Sequence, residues 1–184
     1  RWAMENICNG GVIRFDAALP EGTEILLSMP LGIYKNMTLR NTDVSGLSLN
    51  GGDTTRILEI GWGIMAEIEG LTFTQGKADD GFGGALYNEG SLTLKNCTFS
   101  ENSAVSGMGY VDASGYARPI NIGSEDTVNE ERLLGIRAAA IVNNNAMTLT
   151  HCTLSGNKAE DGEPLPVGRG FAVGGIFNTG GLTL

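Results

Sequence analysis

One short phrase occurs three times in this chain, and each copy leads into the same alternating segment. The copies are Gly83-Gly84-Ala85-Leu86-Tyr87-Asn88, Ala138-Ala139-Ala140-Ile141-Val142-Asn143 and Val173-Gly174-Gly175-Ile176-Phe177-Asn178. They are followed by Leu92-Thr93-Leu94, Met147-Thr148-Leu149 and Leu182-Thr183-Leu184. The first two copies continue in parallel, through Cys97-Thr98-Phe99-Ser100 to Asn102 and Ala104, and through Cys152-Thr153-Leu154-Ser155 to Asn157 and Ala159. A fainter copy runs from Leu71-Thr72-Phe73-Thr74 to Ala78. Units repeated in this way bury their apolar faces against their neighbours, which is the sequence mark of a solenoid.

The spacing sets the size of the unit. Phe73 and Phe99 are 26 residues apart, as are Leu71 and Cys97. Cys97 and Cys152 are 55 apart, one unit plus a long insertion, and Ile141 and Ile176 are 35 apart, one unit plus a short one. A turn of about two dozen residues made of three short strands fits one coil of a parallel β-helix, with coils stacked at about 4.8 Å. Within a coil the period is two: Leu92 and Leu94 face inward and Thr93 outward, and Cys97 and Phe99 face inward with Thr98 and Ser100 outward. Ile13-Arg14-Phe15, Met37-Thr38-Leu39, Leu47-Ser48-Leu49 and Leu58-Glu59-Ile60 alternate in the same way. The fold expected is all-β: a right-handed parallel β-helix of about six coils, in one domain over 1–184.

Equivalent residues should stack in ladders. Asn88, Asn143 and Asn178 form one, and Asn102 and Asn157 another, since an asparagine amide can bond to the coils above and below and tolerates left-handed corners. Two segments depart from the repeat. Residues 1–10 read as an N-terminal cap, with a short helix over Trp2 to Cys8 covering the first coil's open edge. Residues 105–137 read as a lateral insertion holding an extended pair, Gly109 to Asp112 and Ala117 to Ile120. A helix is expected next, capped by Thr127 and Glu130 and stopped by Gly135. Residues 160–172, polar with two prolines, read as a surface loop.

Acidic residues outnumber basic ones, 21 to 12, for a net charge of -9. That excludes a phosphate-binding surface, so no nucleic-acid partner is expected. No apolar run reaches the roughly eighteen residues of a membrane span, so no membrane insertion by this segment is expected. No signal peptide is visible; the chain starts with Arg, ends inside a repeat, and reads as a mature or excised piece. Cys8, Cys97 and Cys152 have no zinc-type spacing.

Gly83-Gly84-Ala85-Leu86-Tyr87 followed by Phe99-Ser100-Glu101-Asn102 resembles the GGA[ILV] and FxxN repeats of chlamydial polymorphic outer membrane proteins. Ile13-Arg14-Phe15-Asp16, Leu19-Pro20-Glu21-Gly22-Thr23 and Gly70-Leu71-Thr72-Phe73-Thr74-Gln75-Gly76 extend the likeness to β-helix repeats of bacterial surface and secreted proteins. It covers most of the chain outside 105–137. Leu154 stands for the Phe of the second FxxN, Gly76 for the Asn of the first copy, and Ala138-Ala139 for Gly-Gly. The resemblance implies extracellular or bacterial cell-surface display, outer-membrane association, adhesion, or an autotransporter passenger.

Catalytic patterns fare worse. A glycosidase needs two carboxyls facing one sugar, and Asp79-Asp80 is the best acidic pair. Asn41-Thr42-Asp43 has the look of a pectin-hydrolase motif, but the Gly-His-Gly and Arg-x-Lys segments of that family are missing. His151 is the sole histidine and occupies the position of Asn96, which reads as a corner. Asp79-Asp80 and Glu160-Asp161 follow matching Lys-Ala pairs; two coils put them about 9.6 Å apart, too far for one calcium ion with ligands at about 2.3–2.6 Å. They read as a solvated acidic rim. Cys97 and Cys152 stack within disulfide range, but parallel Cβ vectors favour free thiols packed as small hydrophobes. Thr72-x-Thr74, Thr98-x-Ser100 and Thr153-x-Ser155 make an outward hydroxyl array of the kind ice-binding solenoids use, which ordinary β-propensity also explains. No catalytic residue, metal ligand or cofactor is expected.

The chain therefore reads as a non-catalytic binding or display module. Tyr110, Tyr116 and Arg118 in the insertion are the candidate ligand contacts, for a glycan or a surface protein of a host or neighbouring cell. Two alternatives stand beside it: a fragment of a polysaccharide lyase or glycoside hydrolase, and a structural subunit associating end to end into fibres.

Overall fold

Short runs that alternate apolar with Thr, Ser or Glu make strands with one face to bury, and in this chain each such strand lies beside its counterpart from the next repeat. The computed structural model describes residues 1–105, 107–111, 117–119, 133–159 and 170–184. Gly11–Arg14, Met37–Arg40, Met65–Glu69, Ser91–Lys95, Met147–Thr150 and Leu182–Thr183 form a first sheet, in that order. Glu24–Leu26, Ser48–Asn50, Thr72–Thr74, Thr98–Ser100 and Thr153–Ser155 form a second. Leu31–Ile33, Leu58–Ile60, Leu86–Asn88, Ile141–Asn143 and Ile176–Asn178 form a third. Every pairing within these sheets is parallel. The chain visits first, second and third sheets in the same order in each repeat, and a small ribbon (Lys77–Ala78, Ser103–Ala104, Lys158–Ala159) sits between the second and third visits. The protein is all-β with parallel sheets.

The register is the one the spacing predicts. Leu94 lies between Ile68 and Leu149 on the first sheet, and Phe99 between Phe73 and Leu154 on the second. The two phenylalanine rings stack with centroids 4.8 Å apart and planes 9° from parallel. Leu49, Phe73, Ile68, Leu94 and Leu86 are all buried in one continuous core. In-register stacking lets like rings meet face to face at the strand spacing, so each repeat supplies the lid for the next.

Asparagines hold the corners. Asn88 Nδ2 donates to Asn143 Oδ1, and Asn143 Nδ2 to Asn178 Oδ1, both at 2.6 Å. Asn102 Nδ2 donates to Asn157 Oδ1 at 2.9 Å. Asn88, Asn102 and Asn143 are completely buried, so these amides satisfy groups that water cannot reach. At another corner Asn96 and His151 both adopt left-handed backbone, with φ of 51° and 52°. His151 is an exposed corner residue, in line with the sequence reading.

The helix Trp2–Asn6 sits at the start of the chain, with Met4 buried against the core. Lys35 Nζ donates to the carbonyls of Glu5 and Ile7, tying the helix end to the following repeat.

In the insertion, Gly107–Val111 pairs antiparallel with Ala117–Pro119, matching the expected extended pair. The expected helix stop at Gly135 is corrected: Gly135 lies inside the strand Leu133–Ala138. That strand has Gly107–Val111 on one side and Gly170–Val173 on the other, so its backbone groups find partners in a ladder. Thr127 and Glu130 lie outside the described residues. Residues 170–172, assigned to the surface loop by sequence, belong to the strand Gly170–Val173; 160–169 lie outside the described residues. The stem of the insertion is bonded into the repeats, because Gly83, Gly84 and Ala85 donate N–H groups to the carbonyls of Ala138, Ala139 and Ala140.

Candidate functional site

The most elaborate polar arrangement among the described residues is on the outer face of the third sheet, around Arg56. Arg56 comes just before the strand Leu58–Ile60, and its side chain is only 11% exposed. Its Nε donates to the carbonyls of Phe82 and Gly83, both at 3.0 Å. Nη1 donates to Glu59 Oε1 at 2.6 Å, and Nη2 to both Asp80 oxygens at 2.7 Å. Burial works against the guanidinium charge, yet Asp80 and Glu59 outweigh it and leave Arg56 above its already high ordinary pKa. Arg56 is therefore a fixed cation unsuited to serve as a base. Asp80 Oδ1 also accepts the Phe82 N–H at 3.0 Å, so this carboxylate is committed to holding its own loop.

A cleft of about 270 Å³ opens beside this cluster, lined by Tyr34, Glu59, Tyr87 and Glu89 as well as Arg56 and Asp80. The register explains why these residues meet. Gly32, Glu59 and Tyr87 are cross-strand partners, one column on the outer face. Tyr34, Gly61 and Glu89 each follow the next inward residue of the same strands, forming a second column. The Tyr34 hydroxyl donates to Glu59 Oε2 at 3.4 Å, and the Tyr87 hydroxyl to Glu89 Oε1 at 3.4 Å. Desolvation first, and the Glu59 charge second, push the Tyr34 phenol above its ordinary pKa, so it stays neutral. The Arg56 guanidinium carbon lies 5.4 Å from the centre of the Tyr87 ring, which meets Phe82 edge to face. Phe82 belongs to a separate apolar cluster with Ala138 and Val142, flanked by Tyr87 and Phe177. The cleft and the insertion stem thus share a wall.

The residues expected from sequence fall in several places. Tyr110 and Arg118 are opposed in the antiparallel pair of the insertion; Tyr116 lies outside the described residues. Asp79 is exposed and 3.8 Å from Lys77, whereas Asp80 turns to Arg56; Glu160 and Asp161 lie outside the described residues. Among the described residues no three metal-ligating side chains come together. Cys97 and Cys152 occupy equivalent places, each just before one of the paired strands Thr98–Ser100 and Thr153–Ser155, as free thiols. Contact with Cys97 lowers the Cys152 thiol to about 6 against the effect of partial burial, and the same contact, followed by burial, pushes Cys97 up. Thr72, Thr98 and Thr153 lie in one file, Thr74, Ser100 and Ser155 in the next.

Sequence reading missed Arg56, Tyr34, Glu59, Tyr87 and Glu89 as a group. Stacking the third-sheet strands by repeat would have exposed the two outward columns. Comparison with protein-family models, with curated proteins and with solved structures brings no match. The resemblance to chlamydial repeats rests on the motifs of the chain itself.

Proposed function

We propose that this chain is a right-handed parallel β-helix of about six coils serving as a non-catalytic binding or display module of a secreted or surface-anchored bacterial protein. The fixed order of visits to three parallel sheets supports the winding, and parallel crossovers are right-handed in about 98% of cases. The observation carrying the functional reading is the insertion: its strands Gly107–Val111, Ala117–Pro119 and Leu133–Ala138 join Gly170–Val173 in a four-stranded sheet bonded to the repeats through Ala138–Ala140. A lateral platform on a rigid scaffold is where recognition usually sits. Tyr110, Tyr116 and Arg118 are its candidate contacts, and a glycan or a cell-surface protein its candidate ligand.

The test replaces residues 107–132 with a short Gly–Ser turn, keeping Leu133–Ala138. Binding to a glycan array and to bacterial and host cell surfaces is then compared with the full chain. Loss of binding with an unchanged circular dichroism spectrum is expected, and undiminished binding rejects the insertion as the recognition element. Depolymerisation of any array glycan by the full chain would replace this reading with the enzymatic one.

A further inference from the structure

Of the chain's three cysteines, two stand one above the other in consecutive repeats. Cys97 and Cys152 each directly precede a strand of the second sheet. Thr98 pairs in register with Thr153, whose N–H donates to the Cys97 carbonyl at 2.9 Å. The two preceding repeats put Leu47 and Leu71 at the same place, both buried. The cysteines therefore stand where the core elsewhere takes a longer apolar side chain.

The two sulfur atoms have matching surroundings. Cys97 Sγ lies 3.3 Å from Lys95 O and 3.7 Å from Ile68 O. Cys152 Sγ lies 3.5 Å from Thr150 O and 3.6 Å from Leu94 O. Lys95 pairs with Thr150 and Ile68 with Leu94, so both side chains take the same course over equivalent backbone. Their sulfurs are then set apart by about one strand spacing, the 4.8 Å that also separates the Phe73 and Phe99 rings on this sheet.

That gap is far longer than an S–S bond of about 2.05 Å, but it fits a metal bridge. Thiolate–metal bonds run to about 2.3 Å, as for zinc, so a straight sulfur–metal–sulfur unit spans about 4.6 Å. Thiolate selects soft cations such as Cu(I), for which two ligands in a line suffice, whereas a closed Zn(II) site takes four. Lys95 O and Thr150 O already accept the Gly70 and Asn96 N–H groups, so losing the thiol protons leaves both carbonyls bonded. Cys97 is buried and Cys152 partly exposed, which gives an ion a way in from the Cys152 side.

We propose that Cys97 and Cys152 bind one soft monovalent cation, Cu(I) or Ag(I), as a straight thiolate–metal–thiolate bridge between consecutive repeats. As the ion binds, the two thiols release two protons to the buffer, and the bridge carries one net negative charge beside solvent. No electron is transferred. The bridge does not depend on what the insertion binds.

The test titrates the reduced Cys8→Ser chain with silver nitrate in chloride-free buffer, and with Cu(I) in acetonitrile under argon. One ion per chain, a monomeric mass and a urea midpoint raised by about 1 M or more are expected. X-ray absorption of the copper form should show two sulfur neighbours and no nitrogen. Cys152→Ala, at the partly exposed position, should weaken uptake by about a hundredfold or more. No uptake, one ion shared between two chains, copper with three or more ligands, or undiminished uptake in Cys152→Ala overturns the site. The absorption spectrum leaves both cysteines in place, so it decides the matter even where Cys152→Ala does not fold.

Discussion

Truncating Asn102 to alanine should cost far more stability than the same change one repeat later, at Asn157. Asn102 is fully buried and makes three contacts between repeats. Its Oδ1 accepts the Gly76 N–H at 2.8 Å, and its Nδ2 donates to Phe73 O at 3.0 Å and Asn157 Oδ1 at 2.9 Å. Gly76 is buried as well, so the truncation strands an N–H that water does not reach. A stranded buried donor costs about 1–3 kcal/mol, and the lost amide bonds add about 1, giving about 3 kcal/mol in all. Asn157 Oδ1 accepts the Asn102 N–H at 3.1 Å and Asn102 Nδ2 at 2.9 Å, and its Nδ2 donates to Phe99 O at 2.9 Å. Asn157 is itself partly exposed, so removing its side chain opens these donors to water, which replaces much of what is lost, and about 1 kcal/mol is expected. Urea denaturation followed by circular dichroism measures both. With a slope of about 2 kcal/mol/M, the midpoints should fall by about 1.5 M and about 0.5 M. Equal shifts, or a larger one for Asn157→Ala, would refute the argument that closed, bonded corners hold the repeats together. A changed slope in either variant would show repeats melting separately, as stacked arrays can.

Three other outcomes are expected. Gly84→Ala should abolish soluble expression, since a Cβ there would strike the Ser103 carbonyl oxygen and come within 2.6 Å of Ala139 O; a folded variant with wild-type midpoint would contradict the close backbone crossing. In a Cys8→Ser background, alkylation of Cys152 should show an inflection at about 6, and Cys97→Ala should move it toward the ordinary value of about 8.5; an unmoved inflection would show that Cys97 is not the cause. Glu67 is held below the ordinary carboxylate range, first by the Lys95 hydrogen bond, with Arg40 assisting and desolvation opposing. A carboxyl depressed in the folded state gives stability that is present above its unfolded pKa and is lost as pH falls through the folded one. Glu67→Gln should therefore flatten the decline of the urea midpoint from about pH 5 to about pH 3, by under about 1 kcal/mol at this partly exposed site; an unaltered decline would assign the acid loss elsewhere.

The scaffold was readable in the sequence wherever chemistry recurs at the repeat distance. Phe73 with Phe99, Leu94 with Leu149 and Asn88 with Asn143 announce themselves because stacking demands the same residue type twice. The cleft is built on the opposite rule. Tyr34, Gly61 and Glu89 hold equivalent places yet differ in kind, as do Gly32, Glu59 and Tyr87, so a search for likeness passes over them. Arg56 was hidden for a further reason: its partners Asp80 and Phe82 sit in a loop of the following repeat, where no periodic pattern leads. The strand at Leu133–Ala138 was misread because its pairing partners, Gly107–Val111 and Gly170–Val173, are remote in sequence, and local signals alone favoured a helix end at Gly135.

The strict alignment of columns across the three sheets also governs which length changes the gene can tolerate. Duplicating or excising one entire repeat leaves each side chain facing the kind of neighbour it had before, so growth by whole units conserves the interior. Adding or losing a single amino acid inside a strand instead turns the pleat over, sending residues such as Leu94 outward and Thr93 inward. Variation in this protein should consequently arrive in two forms, complete repeats and insertions like that between Ala104 and Ala138, with few small gaps inside the strands themselves.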